Sequence, residues 1–258
     1  MGSGYTNVRV DVSDGVGQIL VNRPPLNILD QQTLTELYMA LLDMKTNSGV
    51  NIVLLRTAGE RFFSVGVDVE QHLPEHAPKT LEAFNKVFEA LIDVDKPVIA
   101  VVQGSALGGG CELAFACDIV IAVDSAKFGQ PEIQVGAVPT VAAAAMHHFI
   151  GQKRTFELLY TGDSISAEKA VQIGLINHAV PADQLEKIVD EFITKLKEHS
   201  PIMLRYVRRA LYKSRHLDFL QAVEKSTEIY LDSLKNTEDA SEGLKAFLEK
   251  RKPEWKGK

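Results

Sequence analysis

The chain has 258 residues, of which 45% are hydrophobic and 24% charged, enough to bury a substantial core as one or two domains. The net charge of -6 argues against nucleic acid as the principal partner, because phosphate binding needs a concentrated cationic surface. The first twenty residues lack a charged start followed by an apolar run, so we expect no signal peptide, no membrane span and a cytoplasmic protein. Cys111 and Cys117 lack disulfide-framework or zinc spacing and are predicted to be reduced core thiols.

The first half of the chain predicts alternating strands and helices. A hairpin is expected where residues 8–12 and 17–21 flank the turn SDGVG, and a helix is expected over LDQQTLTELYMALLDMKT behind Asp30, a plausible N-cap. The apolar runs NIVLLRTA, PVIAVVQG and CDIVIAVDSAKFG are typical of strands covered on both faces. Helices are predicted between them, over TLEAFNKVFEALIDV and GGGCELAFAC. This order favours an α/β fold with largely parallel pairing.

After Pro139 the pattern becomes helical. Helices are predicted over VAAAAMHHFIG, KRTFELLYTG, SAEKAVQIGL and DQLEKIVDEFITKLKEH, with a short strand-like piece at INHAVP. A further helical region runs from Pro201 to Arg251, with a break expected near residues 235–239. This last stretch is amphipathic and charged, and composition leaves open whether it is an appended helical layer or an oligomer contact.

Two glycine-bearing turns are candidates for binding an anion or a developing oxyanion. RFFSVGVDVEQH and QGSALGGGCELAFACD each follow an apolar strand, and a strand that ends in glycine and enters a helix presents unpaired backbone N–H groups. Two such turns could converge on one oxygen, or the glycines could simply let strands turn into helices. The segments match neither a phosphate-binding loop nor a dinucleotide motif nor a nucleophile elbow.

Glu112 and Glu132 are the candidate acid and base. Glu112 lies in the first turn of a predicted helix between apolar neighbours, and Glu132 follows a proline and precedes an apolar run. Two carboxylates around one water can divide the roles of general base and general acid when one is ionised and the other protonated. Separate structural roles for the two are the alternative.

The other titratable residues are weaker candidates. His72 and His76 have helical metal spacing, but Pro74 lies between them and no HExxH is present, so no metal site is expected. Adjacent His147 and His148 point in different directions and are expected at a helix end or core edge. Asp68 is predicted to cap the helix that follows the first glycine turn.

Several segments together resemble the crotonase (enoyl-CoA hydratase/isomerase) superfamily, in the right order and covering about residues 8–251. They are LVNRPPLNIL, ERFFSVGVDVEQ, KPVIAVVQGSALGGGCELAFACDIVIA, AKFGQPEIQVGAVP and LLYTGDSISAEKAVQIGLINHAVP. The resemblance implies a spiral of ββα units over residues 1–198, then a helical region over residues 199–258 that forms a homotrimer or a dimer of trimers. It implies an acyl-CoA substrate, with coenzyme A as part of that substrate and no separate cofactor or metal.

The same resemblance implies roles for individual residues. The backbone N–H groups of Val67 and Gly109 would form an oxyanion hole, and Glu112 and Glu132 match the two hydratase glutamates. Since many isomerases and hydrolases of the superfamily lack one glutamate, keeping both favours hydration. Further substrate contacts are implied for Arg23, Pro25, Leu26, Phe63, Ser64, Val65, Asp68, Gly108, Pro131, Pro139 and Thr140. Phe247, Lys250 or Arg251 would approach the nucleotide, and the resemblance allows that contact to come from a neighbouring subunit.

Two segments depart from the commonest hydratase pattern. Ser-Val-Gly-Val-Asp replaces Ala-Ala-Gly-Ala-Asp at residues 64–68, and Thr-Val-Ala-Ala replaces Gly-Ala-Gly-Gly at residues 140–143. GVDVEQH and VPTVAAAA resemble the cyclic dienoyl-CoA hydratases of anaerobic benzoyl-CoA breakdown, which act on cyclohexa-1,5-diene-1-carbonyl-CoA. Open alternatives are an enoyl-CoA isomerase and a non-catalytic member that binds acyl-CoA or RNA. The two glutamates, the intact GGG turn and the acidic balance speak against the latter.

Overall fold

The computed structural model describes residues 4–258, which form two compact units. The first contains residues up to 94 and residues 98–189, and the second contains residues 95–97 and 190–258. Among the described helices, none combines the length and apolar character that a membrane crossing requires.

Two sheets organise the first unit. The six-stranded sheet has the order β1-β2-β3-β5-β7-β10, and the four-stranded sheet has the order β4-β6-β8-β9. From β3 to β8 the strands alternate between the two sheets, and all pairs are parallel except β1 with β2 and β8 with β9. The strands are β1 Val8–Ser13, β2 Val16–Val21, β3 Ile52–Thr57, β4 Phe62–Ser64, β5 Val98–Val102, β6 Ser105–Leu107, β7 Ile119–Val123, β8 Lys127–Gly129, β9 Ser164–Ser166 and β10 His178–Val180. The predicted α/β class with largely parallel pairing is confirmed.

The apolar runs form the buried strands, with one correction. All five residues of β5 are buried, as expected for a strand covered on both faces. CDIVIAVDSAKFG, predicted as one strand, forms β7 and β8, which belong to different sheets. The chain turns between them at residues 124–126. Cys111 and Cys117 are buried free thiols, as predicted.

The helices of the first unit begin largely where the sequence predicts. The Asp30 side chain caps the first helix by accepting a hydrogen bond from the Thr33 backbone N–H at 2.8 Å. VAAAAMHHFIG forms two short helices rather than one, with the fully buried Met146 between them. The helices are α1 Gln31–Thr46, α2 Ala77–Asp93, α3 Gly109–Phe115, α4 Thr140–Ala145, α5 His147–Ile150, α6 Gln152–Thr161, α7 Ala167–Ile173 and α8 Leu185–Lys197, the last of which continues into the second unit.

Three helices dominate the second unit: α9 Pro201–Ser214, α10 Phe219–Asn236 and α11 Glu238–Leu248. The break predicted near residues 235–239 is confirmed, because Thr237 separates α10 from α11. A second break, at residues 215–218, was not predicted. Within this unit Asp95 forms ion pairs with Arg205 and Arg209. The domain boundary predicted at residue 198 stays a prediction.

Candidate active site

The two glycine turns meet at one edge of the smaller sheet. Strands β4 and β6 are parallel neighbours, so the turns that follow them leave the sheet side by side. A methyl group added at Gly66 would lie 2.7 Å from the Gly109 backbone nitrogen, and one added at Gly110 would lie 2.4 Å from the Ser64 carbonyl oxygen. Gly66 also has φ +92°, a conformation that side-chain-bearing residues rarely adopt. Only glycine therefore allows this backbone contact.

The contact brings two backbone N–H donors together. Gly109 is the first residue of α3, where an N–H has no partner within the helix. Among the hydrogen bonds described for residues 4–258, neither the Gly109 N–H nor the Val67 N–H has an acceptor. Such a pair of donors is suited to an oxygen that carries or develops negative charge.

The NRPPLN loop supports the first turn through its backbone. The Val65 N–H donates to the Leu26 carbonyl at 3.1 Å, and the Leu29 N–H donates to the Gly66 carbonyl at 2.9 Å. These two hydrogen bonds hold the backbone at residues 65 and 66, directly before Val67. They therefore fix the position of the Val67 N–H. The loop and the turn, both predicted to contact coenzyme A, are therefore adjacent.

A buried polar cluster holds the same two segments from inside. The Ser64 hydroxyl donates to the Asn27 carbonyl at 2.7 Å and accepts from the Gly66 N–H at 3.0 Å. The Asn27 side-chain amide donates to the carbonyls of Ala58 and Phe62 at 2.7 and 3.0 Å. Because both side chains are fully buried and paired, they stabilise the turn instead of offering groups to a ligand.

Glu112 is a buried carboxylate at the start of α3, with only 2% of the residue exposed. Its Oε1 accepts a hydrogen bond from the Ala142 N–H in the first turn of α4 at 2.7 Å. Burial, assisted by the negative charge of Glu132, raises the pKa of Glu112 to about 8, although the N–H groups of Ala142 and Val141 oppose the rise.

Glu132 lies in the 3-10 helix Pro131–Val135, close to Gly108. A methyl group added at Gly108 would lie 2.7 Å from Glu132 Oε1. Glu132 Oε2 is buried, and the described residues give it no hydrogen-bond partner. Burial raises the pKa of Glu132 to about 7. The negative charge of Glu132 raises the pKa of Glu112, so the two carboxylates form an electrostatically coupled pair, and burial favours the protonated form of each.

Both carboxylates face one cavity of about 170 Å³ in the first unit. Of the site residues predicted from sequence, the structure brings nine together around it: Val65, Val67, Gly108, Gly109, Glu112, Pro131, Glu132, Pro139 and Thr140. The cavity thus combines two N–H donors, a coupled carboxylate pair and an otherwise mostly apolar wall. This arrangement can bind a carbonyl oxygen and transfer protons beside it.

Residues 11–258 match the sequence profile of the family described as enoyl-CoA hydratase/isomerase. The chain belongs to this family. It is 34% identical over 256 residues to the short-chain-enoyl-CoA hydratase of Clostridium acetobutylicum, covering 96% of this chain and 97% of the relative. It is 32% identical over 243 residues to the 2,3-dehydroadipyl-CoA hydratase of Escherichia coli, covering 93% and 94%.

Solved structures of the enoyl-CoA hydratase/isomerase family share the fold. The enoyl-CoA hydratase from Bacillus anthracis superimposes with a TM-score of 0.92 at 32% identity, covering 98% of this chain and all of the other. A structure from Legionella pneumophila, described as a crotonase, gives 0.85 at 27% identity, covering 96% and 98%. The predicted crotonase-type spiral with a C-terminal helical region is confirmed.

Several residues that the family resemblance implied for substrate binding do not line the cavity. Arg23 pairs with Asp30 at 3.0 Å, and Asp68 caps the 3-10 helix Val69–His72, as the sequence predicted for it. The remaining residues outside the cavity wall are Pro25, Leu26, Phe63 and Ser64, of which the last two are fully buried. Pro25 and Leu26 are exposed, and the assignment of these four residues to the substrate stays a prediction.

Two further predicted contacts lie in the second unit. Phe247 is in the last turn of α11 and Lys250 follows that helix, and both are exposed. Arg251 forms ion pairs with Glu242 and Glu249. The assignment of this segment to the nucleotide stays a prediction.

Sequence reasoning missed one wall of the cavity. It consists of the 3-10 helix Val69–His72, the start of α2 and part of the segment after Glu132. The additional lining residues are Val69, Gln71, His72, Thr80, Leu81, Phe84, Gln134, Val135 and Val138. The apolar face of α2 was the available signal, but helical periodicity shows only that a face is covered and not what covers it.

Proposed function

We propose that this protein is an enoyl-CoA hydratase, which adds water across the conjugated double bond of an acyl-CoA thioester. The observation that carries the proposal is the coupled pair of buried carboxylates in a cavity that also contains two unpartnered N–H donors. The names of the hydratase relatives from C. acetobutylicum and E. coli support the same reaction.

In the proposed mechanism, the thioester oxygen accepts hydrogen bonds from the Val67 and Gly109 N–H groups. These donors stabilise the enolate formed when water oxygen bonds to the β-carbon, and each contributes about 3–4 kcal/mol by analogy with other oxyanion holes. The ionised member of the Glu112–Glu132 pair takes a proton from the water. The protonated member delivers its proton to the α-carbon, which completes net addition of one water.

We propose that coenzyme A lies across the NRPPLN loop and the turn at residues 63–68. The two backbone hydrogen bonds between these segments support a shared binding surface. Phe247 and Lys250 are proposed to approach the nucleotide. Coenzyme A enters as part of the substrate, and the proposed reaction uses no other cofactor and no metal.

The acyl group has two candidates. The cavity of about 170 Å³ is smaller than the roughly 300–1,000 Å³ typical of drug-sized ligands, which favours a compact acyl group. A short chain agrees with the name of the C. acetobutylicum relative. A cyclohexa-1,5-diene-1-carbonyl group, and with it a role in aromatic degradation, is supported by Val67 and Thr140, which line the cavity at the two departures from the commonest pattern.

A homotrimer or dimer of trimers is the proposed assembly. Large apolar side chains on α9 and α10 are exposed, including Val207, Phe219 and Leu220 at 70, 79 and 76%. Exposure of several large apolar side chains on these two helices favours their burial against another chain. Light scattering on the purified protein measures the assembly, and cell fractionation tests the proposed cytoplasmic location.

The test of the reaction is mass-resolved turnover of crotonyl-CoA and cyclohexa-1,5-diene-1-carbonyl-CoA. A product heavier by one water supports hydration, whereas a product of unchanged mass indicates an isomerase. Tight binding without turnover would favour the non-catalytic alternative. The faster of the two substrates identifies the acyl class.

Two matched variants test the carboxylates. Glu112→Gln and Glu132→Gln should each lower turnover by at least about a hundredfold with acyl-CoA binding largely retained, as expected for loss of a general acid or base. Glu157→Gln, at an exposed position on α6, is the control. Normal turnover in either cavity variant would contradict the two-carboxylate mechanism.

A further inference from the structure

One part of the cavity wall carries polar groups that the proposed chemistry does not use. Thr80, at 2% exposure, donates its hydroxyl hydrogen to Gln71 Oε1 at 2.9 Å. This bond occupies the amide oxygen of Gln71 and fixes the orientation of the amide. The structure describes no acceptor among residues 4–258 for the Gln71 amide N–H groups. His72, which ends the same 3-10 helix, also lines the cavity.

This polar edge is displaced from the reacting centre. Phe84 lies against the oxyanion side, because a methyl group added at Gly109 would be 3.1 Å from its ring. Thr80 precedes Phe84 by one turn of α2, which displaces it about 6 Å along the helix axis. The Gln71–Thr80 pair is therefore separated from the oxyanion donors by a distance that several bonds of an acyl chain would span. We expect the end of the acyl group to lie beside this pair.

The surroundings of Gln71 make its free amide N–H groups significant. Apart from His72, the other side chains that line the cavity from the 3-10 helix and α2, including Val69 and Leu81, are apolar. An acyl group ending in methyl or methylene there would cover the amide without pairing it, and an unpaired covered donor is unfavourable. An acyl group with an oxygen at this position would satisfy the donor.

We propose that Gln71, oriented by Thr80, is a specificity-determining residue for acyl groups that carry an uncharged oxygen acceptor, a carbonyl or hydroxyl, beyond the reacting double bond. The inference rests on the proposed hydratase function. A carboxylate is disfavoured because Glu112 and Glu132 bring negative charge to the same cavity, while no lysine or arginine lines it within the described chain.

The experiment compares kcat/KM for hex-2-enoyl-CoA and 5-oxohex-2-enoyl-CoA, which differ only in a methylene replaced by an unconjugated carbonyl. Wild type should prefer the oxo substrate. Gln71→Met should reduce that preference by about threefold to tenfold, the effect of losing one neutral hydrogen bond. The ratio of the two substrates corrects for any general loss of activity.

Thr80→Val provides a second, independent variant. It removes the hydroxyl that orients the amide and should lower the same preference, and the double variant should show little further loss if Thr80 acts through Gln71. This variant carries the test if Gln71→Met fails to fold. A third substrate, 2,3-dehydroadipyl-CoA, has an acyl group that ends in a carboxylate and tests whether a charged acceptor is preferred over the uncharged carbonyl.

The outcomes separate the inference from the proposed function. Hydration of hex-2-enoyl-CoA with no oxo preference, or with a preference that neither variant changes, overturns the role of Gln71 and leaves the hydratase standing. A preference for 2,3-dehydroadipyl-CoA over the oxo substrate overturns the uncharged-acceptor assignment. Hydration of none of the three substrates overturns both proposals.

Discussion

Replacing Ala142 with proline removes one hydrogen bond from the Glu112 carboxylate. The Ala142 N–H donates to Glu112 Oε1 at 2.7 Å and is the third N–H of α4, a position that has no acceptor within the helix. Proline lacks an N–H, and because the Ala142 N–H has no acceptor within α4, its loss breaks no hydrogen bond of the helix. The substitution therefore changes the proton affinity of Glu112 while the rest of α4 keeps its hydrogen bonds.

The size of the effect follows from this contact. A hydrogen bond to a charged group contributes about 1.5–3 kcal/mol, and 1.36 kcal/mol corresponds to one pKa unit, so the loss should raise the pKa of Glu112 by about 1–2 units. The direction is upward because the N–H stabilises the ionised carboxylate. Because the pKa of Glu112 is the higher of the two, Glu112 gives up the last proton of the pair, and the rise in its pKa should move the alkaline limb of kcat/KM to higher pH.

The assay is the pH dependence of kcat/KM for enoyl-CoA hydration from about pH 5.5 to 10, with circular dichroism to verify the fold. Ala142→Gly keeps the N–H and is the matched control, so its alkaline limb should stay near that of wild type. An alkaline limb that is unchanged in folded Ala142→Pro would refute the conclusion that this N–H sets the proton affinity of the catalytic pair.

Three further predictions concern the turn, the buried acid and the second unit. Gly66→Ala should lower kcat by about 10²–10³, because its methyl group would displace the Gly109 N–H donor, and steady-state kinetics measures this loss. Because burial raises the pKa of Glu112 from 4.5 to about 8, the folded state holds more protons than the unfolded state in that interval. The free energy of unfolding should therefore fall as pH rises from about 4.5 to 8, and urea titrations should show a smaller fall in Glu112→Gln. Asp95→Asn keeps a residue type that tolerates the positive φ of 57° but removes the charge that pairs with two arginines of α9. The free energy of unfolding, measured by urea titration, should fall by about 1–3 kcal/mol.

The parts of the fold that the sequence predicted are those with strong periodicity or a clear terminal signal. β3 and β5 are continuous apolar runs, and α1 has both an apolar face and the Asp30 cap. Strands β4, β6 and β9 have three residues each, too few to show alternation. The same limit explains why the segment that contains β7 and β8 was predicted as one strand.

The residues of the candidate site also separate into those with a local sequence signal, which could be predicted, and those without one. Glu112 and Glu132 could be predicted because an acidic residue flanked by apolar ones is unusual, and the two turns because glycine next to a strand end indicates a special backbone conformation. The wall that contains Gln71 and Thr80 could not, because it depends on how α2 packs over the turn. Pairing between side chains on different elements leaves no trace in local spacing.

The backbone contact between Gly66, Gly109 and Gly110 means that substitutions are not tolerated equally in all parts of the cavity. A single methyl group at Gly66 or Gly110 would collide with backbone, so these two positions beside the N–H donors cannot accept a side chain. The region around Gln71 and Thr80 is built from side chains and can vary by simple replacement. A lineage with this fold can therefore acquire new acyl substrates at the Gln71 wall while the reaction itself is inherited unchanged.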